Sequence, residues 1–305
     1  MAWTRWIDNE TDSLNQSIQK FLSDNEELNK NSTVRYENLK KTKVYSSDQL
    51  FSFNGQSINY NVVTFSLNSV VGDNITQVKG TIIIYSIAER IHYIINRNSD
   101  AKKFLRLLLN YKVNNAILEH NPNFNNDIFL WCVKRVFERK NIFTLNTSTK
   151  PDKKLVINSI LGMKGQTSDL NKLTATGSSV LNLVSTLALL LESHLIEQTK
   201  IRLEYTNHNN LEIGLNNKGV IDIDFRSYIG QHNDNNEVEK TAKIVLLAYL
   251  EVIPALIDQL EKDQRLNKWN HLEKSTFLTN IEKEIGERIN KMKKTFLEEQ
   301  GKLNI

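Results

Sequence analysis

Residues 80–111, GTIIIYSIAERIHYIINRNSDAKKFLRLLLNY, read as strand, turn, strand and helix, and the N-terminal half is organised around them. Thr81–Tyr85 and Ile91–Ile95 are dense in β-branched and aromatic side chains, which suit a pleated surface better than a helix. The apolar run is continuous, so at least one of these strands should be covered on both faces. Ala88-Glu89 is the turn between them, although it is neither Asn-Gly nor Gly-Gly. Ser99 offers a helix N-cap, with Asp100 in the first turn where its charge suits the helix dipole. Ala101, Phe104, Leu105 and Leu108 follow at helical spacing and should face the sheet. Lys102 and Arg106 are four apart and share the solvent side.

Upstream, the pattern predicts an amphipathic helix over Asp12–Leu28, preceded by Trp3, Trp6 and Ile7, which can dock internally or in an oligomer contact. Val34–Val44 carries Lys40, Lys41 and Lys43, the composition of an edge strand protected by charge. Asn54-Gly55 predicts a hairpin, and Ile58–Val71 continues as a strand that turns at Gly72-Asp73-Asn74. The result is an antiparallel meander of about four to six strands.

Downstream, residues 113–127 are polar and hold Pro122, a loop. Ile128–Lys140 is a helix whose exposed face should carry Lys134, Arg135, Arg139 and Lys140. Ile142–Leu145 is a short strand, and 146–154, NTSTKPDKK, has the turn chemistry of a boundary. Leu155–Leu161 is a strand, Gly162–Ser179 a loop rich in Gly, Thr and Ser, and Val180–Leu195 an apolar helix capped by Ser178 or Ser179. Strands are predicted at Lys200–Tyr205, Leu211–Leu215 and Val220–Arg226, the last two joined by a hairpin turn at 216–219. Val238–Leu260 is a long helix disturbed at Pro254. His271–Leu297 is an amphipathic helix with Phe277, Ile281, Ile285, Ile289, Met292 and Phe296 on one side.

The chain has 305 residues, enough for two domains. Its single cysteine, Cys132, excludes an intramolecular disulfide and lies in an apolar run, where a buried thiol is expected rather than a nucleophile. No secretory signal and no run long enough to span a membrane is read in the sequence, so a cytoplasmic protein without a membrane partner is expected. Asn is abundant, which fits an AT-rich genome and is also consistent with a phage-related locus and a role in antiviral defence.

The net charge of +4 is unevenly distributed. Residues 1–89 hold 8 basic and 10 acidic side chains, residues 90–172 hold 15 and 6, and residues 173–305 hold 16 and 19. A basic middle of this kind points to a polyanionic partner. The candidate contacts are Arg97, Lys102, Lys103, Arg106, Lys134, Arg135, Arg139, Lys140, Lys150, Lys153 and Lys154. Phosphate neutralisation needs only well-placed cations, so binding should be independent of sequence. Tyr111 and Phe143 are possible stacking faces for single strands, with a core role the plainer reading of each.

Other chemistry finds little support. The sequence holds no phosphate-cradling Gly-rich motif, no nucleophile elbow and no Cys/His spacing for zinc. Arg202–His208 and Arg226–His232 share an Arg-x5-His spacing that chance supplies among six histidines. The helix–strand–strand–strand–helix order from Val180 to Leu250 resembles, at the coarsest level, the core of metal-dependent nucleases of the restriction-enzyme type. Glu192, Glu212, Asp222 and Asp224 could supply its carboxylates, but Arg226 stands where a lysine is needed.

The sequence therefore predicts an α+β protein of two domains, 1–148 and 149–305. The first is an antiparallel sheet with covering helices, and the second a small sheet with long C-terminal helices. The expected function is non-enzymatic nucleic-acid binding, DNA or RNA, with no cofactor or metal. The C-terminal helices would serve homo-oligomerisation or a protein partner. A divergent metal-dependent nuclease and a protein–protein adaptor are the alternatives.

Overall fold

A computed structural model describes residues 1–24, 34–145, 153–167, 172–178 and 180–303. The chain runs through β1 (Ala2–Asp8), α1 (Leu14–Leu22), β2 (Arg35–Lys43), β3 (Gln49–Phe53), β4 (Gln56–Val71), β5 (Asn74–Ile87), β6 (Arg90–Ile95), α2 (Ala101–Leu108) and β7 (Ile117–Glu119). It continues through α3 (Asn126–Phe137), β8 (Ile142–Leu145), β9 (Lys153–Thr167), β10 (Lys172–Thr176), α4 (Val184–Glu192), β11 (Ser193–Tyr205) and β12 (His208–Asn216). The last elements are β13 (Ile221–Asp224), β14 (Ile229–Gly230), α5 (Glu237–Leu247), α6 (Ile253–Arg265) and α7 (His271–Leu303). The fold is α+β, with antiparallel pairing at every register described below.

The contacts define two compact units, and neither is a single stretch of chain. One holds residues 1–123, 218–225 and 232–251; the other holds 124–217, 226–231 and 252–305. This division differs from 1–148 and 149–305, because the chain returns twice to the first unit after leaving it. Local turn chemistry carries no information about such returns.

In the first unit β13, β1, β6, β5, β4 and β2 lie side by side, with β3 on β4 and β7 on β1. The quoted stretch supplies two of the central strands and the covering helix α2. Ala88 and Glu89 both take positive φ, +48° and +59°, so the β5–β6 turn has the backbone that Asn-Gly usually provides. Asn54 and Gly55 adopt the same region, as expected from the sequence. Gly80 faces Phe65 across β4–β5, and a Cβ there would stand 2.2 Å from the Phe65 ring. Trp6, Phe65, Ile82, Ile84 and Tyr93 pack on one sheet face with Phe104, Leu105 and Leu108 of α2 and Ile18 and Phe21 of α1. Alternate residues, among them Tyr60, Val62, Ile83, Tyr85 and Ile94, are buried by the same strand periodicity. The helix cap differs from expectation: Asp100, not Ser99, takes the N-cap position, without a side-chain capping bond. Trp3 and Trp6 dock internally, as expected, and they do so as buried residues of a strand, β1.

In the second unit β10 and β8 occupy one side of β9, and β11, β12 and β14 follow on its other side. Gly162–Ser179 is not simply a loop: β9 runs into it as far as Thr167 and pairs with β10, where Thr174 and Thr176 favour a pleated strand. The apolar helix is shorter than expected, because β11 begins directly after α4. α5 belongs to the first unit and α6 to the second, and along the chain between them lies a π turn at Ala248–Val252, just before Pro254. Proline cannot donate to the preceding turn and its ring crowds it, and the wider turn accommodates both defects. No helix among the described residues is long and apolar enough to cross a membrane.

Candidate nucleic-acid interface

The sequence-predicted cations fall in both units. Arg97, Lys102, Lys103 and Arg106 belong to the first, and Lys134, Arg135, Arg139, Lys140, Lys153 and Lys154 to the second. Lys150 lies outside the described residues.

Three of the four cations of the first unit are engaged by their own fold. Arg97 pairs with Asp100, donates to the Lys79 carbonyl at 3.2 Å and lies 4.7 Å from the Phe104 ring centroid. Arg106 donates to the Lys112 carbonyl at 2.8 Å and pairs with Asn114, closing the loop after α2. Lys103 lies over Tyr36, 5.2 Å from its ring centroid. Lys103 and Arg106, together with Lys102, Ser99, Tyr111 and Asn114, line an open basin of about 670 Å³. The Tyr111 hydroxyl donates to Asp8 at 2.7 Å and Lys20 lies 4.6 Å from its ring centroid, so the side chain is held by its own unit.

The second unit holds a contrasting arrangement. Lys134 and Arg135 are not on an exposed face of α3. Lys134 is only 5% exposed and ion-pairs with Glu273 at 2.6 Å, while stacking over Trp269. Arg135 pairs with the buried Asp263, which also accepts a 2.7 Å bond from the Trp131 indole. The exposed-face reading fails because α3 is covered on more than one side. It lies on β9 and β11, meets α6, and is tied to the start of α7 through Lys134–Glu273 and Asp127–Lys274. Phe143 stacks on Trp131 at 5.3 Å and is buried, so a role as a nucleotide-stacking platform does not hold.

Just beyond that ion pair the cations change character. Arg139 and Lys140 follow the end of α3 and are exposed. The helix closes with the Lys140 amide donating to the Arg135 carbonyl at 2.9 Å and the Arg139 amide to Val136 at 3.1 Å. This closure puts Arg139 at φ +58°, a position usually given to glycine. With Lys262 and Lys268 they surround an open basin of about 600 Å³, floored by Phe143 and the Arg135–Asp263 pair. Five cationic side chains and one carboxylate line it. Arg139, Lys262 and Lys268 have no carboxylate partner among the described residues, whereas Lys140 reaches Glu138 at 3.2 Å. Lys154 stands across from Thr144, which also lines the basin, so both side chains leave the same sheet face. Lys153 instead contacts Tyr205, 5.4 Å from its ring centroid. Two helices end here, and their carbonyl ends favour cations locally, which contributes to this clustering.

Sequence reasoning missed Lys262 and Lys268, because both sit in the segment whose net charge is acidic. Only the packing of α6 beside α3 brings them to Arg139.

Two of the four carboxylates considered for metal-assisted cleavage, Asp222 and Glu212, are committed elsewhere. Asp222 pairs with the Met1 nitrogen, in register with β1. Glu212 is held by Lys200 at 2.8 Å and Arg202 at 2.7 Å; these partners outweigh its burial and draw its pKa below the usual carboxylate value. Asp222 and Asp224 belong to the first unit, Glu192 and Glu212 to the second. Among the described residues no group of three His, Cys, Asp or Glu side chains could hold a metal ion. Cys132 is buried and its thiol pKa is pushed up by burial to about 12, in keeping with a structural thiol.

No family model matches the chain, and a search of curated proteins finds no match.

Proposed function

We propose that the chain binds a nucleic-acid backbone, without cleaving it, through the basin at the ends of α3 and α6. The observation that carries this reading is the set of exposed cations, Arg139, Lys262 and Lys268, with no carboxylate partner among the described residues. Such side chains can exchange counterions for phosphates without first breaking an ion pair. The buried Phe143 leaves no free aromatic face in the basin, so recognition rests on the backbone and not on base stacking. DNA and RNA are both accessible to this chemistry. The test is a salt-titrated binding assay with double- and single-stranded probes. Binding should weaken steeply as salt rises, and Arg139→Glu/Lys262→Glu/Lys268→Glu should abolish most of it; salt-independent binding, or binding untouched by the triple change, rejects the reading.

A protein-partner role has one observation of its own. Phe277 and Ile281 of α7 are buried, but farther along Met292, Phe296 and Leu297 are 51%, 65% and 68% exposed. This distal stripe suits a second copy or another protein. Light scattering of the chain and of Met292→Lys/Phe296→Lys tests it: a monomer that the substitutions leave unchanged removes self-association.

A further inference from the structure

A second cluster of basic groups lies in the first unit, built on β1, β6 and the end of β7 and separate from the basin of α2. Strand alternation puts Trp6 and Tyr93 into the core under α2, and sends Arg5 and His92 to the other face. There the His92 ring stacks on Tyr85, at 5.0 Å, and lies 5.4 Å from the His120 ring at a tilt of 36°. Arg5 donates from Nε to the His120 carbonyl at 2.8 Å and lies 5.6 Å from the Tyr249 ring centroid. Arg90, two residues before His92 on β6, leaves the same sheet face and is exposed. Neither arginine has a carboxylate partner among the described residues. His92 is only 5% exposed, and its Nδ1 is buried without a hydrogen-bond partner.

Burial, His120, Arg5 and Arg90 all push the His92 pKa down, to about 3. Burial, Arg5 and Arg90 likewise lower that of His120, and no carboxylate acts in the opposite direction on either ring. Like charges gathered without a counter-charge repel one another, and an unpaired buried nitrogen adds a desolvation cost. The charge repulsion is relieved by a bound anion.

We infer that Arg5, Arg90, His92 and His120 form an oxyanion site that takes a phosphate group, either as inorganic phosphate or as the phosphate of a mononucleotide. The two guanidinium groups and the exposed His120 ring supply the donors, with His92 packed beside them, which suits the three terminal oxygens of a phosphate better than the two of a carboxylate. The site is independent of the proposed α3–α6 interface, whose residues belong to the other unit.

The test is histidine side-chain NMR of the full chain near neutral pH, titrated separately with inorganic phosphate and with adenosine monophosphate at constant ionic strength. Saturable shifts of the His92 and His120 rings are expected, together with an upward movement of the His92 pKa. Arg90→Gln removes an exposed side chain and should keep the fold while weakening binding roughly tenfold, the equivalent of one charge-assisted hydrogen bond. Saturation by phosphate alone identifies the free ion as the ligand, and saturation by the mononucleotide alone identifies the nucleotide. Shifts that never saturate, or that Arg90→Gln leaves unchanged, overturn the proposal.

Discussion

The helices α2 and α3 carry basic clusters of similar composition, but the two use them differently. Around α2, Arg97, Lys103 and Arg106 brace their own unit through Asp100, Tyr36 and the carbonyl of Lys112. Along α3 the division falls within a few residues. Lys134 and Arg135 are consumed by Glu273 and Asp263, while Arg139 stands exposed beside Lys262 and Lys268. A basic side chain is available to a phosphate only when its own fold has not already paired it, and charge density along the sequence does not report that.

The largest expected effect breaks the comparison at Arg135. Arg135→Ala leaves Asp263 buried with only the Trp131 indole as a partner, and denaturant titration should show a loss of about 3–5 kcal/mol. A loss below about 1 kcal/mol would place Arg135 with the exposed cations instead. Next comes the contrast between the two basins. Arg139→Glu/Lys262→Glu/Lys268→Glu should reduce the slope of log affinity against log salt by about 3, since each phosphate contact contributes about 0.9. Lys102→Glu/Lys103→Glu should change it by less than about 1, and equal changes would remove the contrast between the two basins.

Acid should separate the units more gently. In the first, burial lowers the pKa of His92 to about 3 and of His232 to about 4. The unfolded chain therefore binds more protons than the folded one below the ordinary histidine value of 6.5, and stability falls as the pH drops from there toward 4. Each proton contributes about 1.4 kcal/mol per pH unit in that window. In the second unit the lowered pKa of Glu212 contributes stability that is lost only below the usual carboxylate value of 4.5. Native-state hydrogen exchange at pH 5 should thus show β5 and β6 weakened before β9 and β11. Simultaneous weakening contradicts that order. The smallest effect sharpens the site itself. Arg139→Gly relieves a left-handed backbone and should raise stability by about 1 kcal/mol while lowering the salt slope by about 0.9, a gain in one measurement with a loss in the other.

Much of the first unit was legible because its signals are local. The β-branched runs of 80–95, the Asn54-Gly55 turn and the apolar positions Ala101, Phe104, Leu105 and Leu108 each fix their structure within a few residues. Ala88-Glu89 forms the same class of turn without the usual residues, because the paired strands on either side impose it. The strand character of Ala2–Asp8 was hidden. Its partners are Ile221 and Asp222 on one side and His92–Ile95 on the other, and no local pattern encodes partners so distant. At the candidate interface the sequence supplied Arg139, Lys140 and Lys154 but also offered Lys134 and Arg135, whose burial depends on α6 and α7.

The sequence by itself determined the antiparallel strands around Gly80–Tyr111, the helical face that covers them, the disturbance at Pro254 and the excess of positive charge between residues 90 and 172. Those depend on residue type and spacing, which act over one or two turns of helix or a single hairpin. Only the tertiary structure decided which cations are free. Pairing Arg135 with Asp263, and gathering Lys262 and Lys268 beside Arg139, joins residues more than a hundred positions apart, and such contacts exist only once the helices have packed.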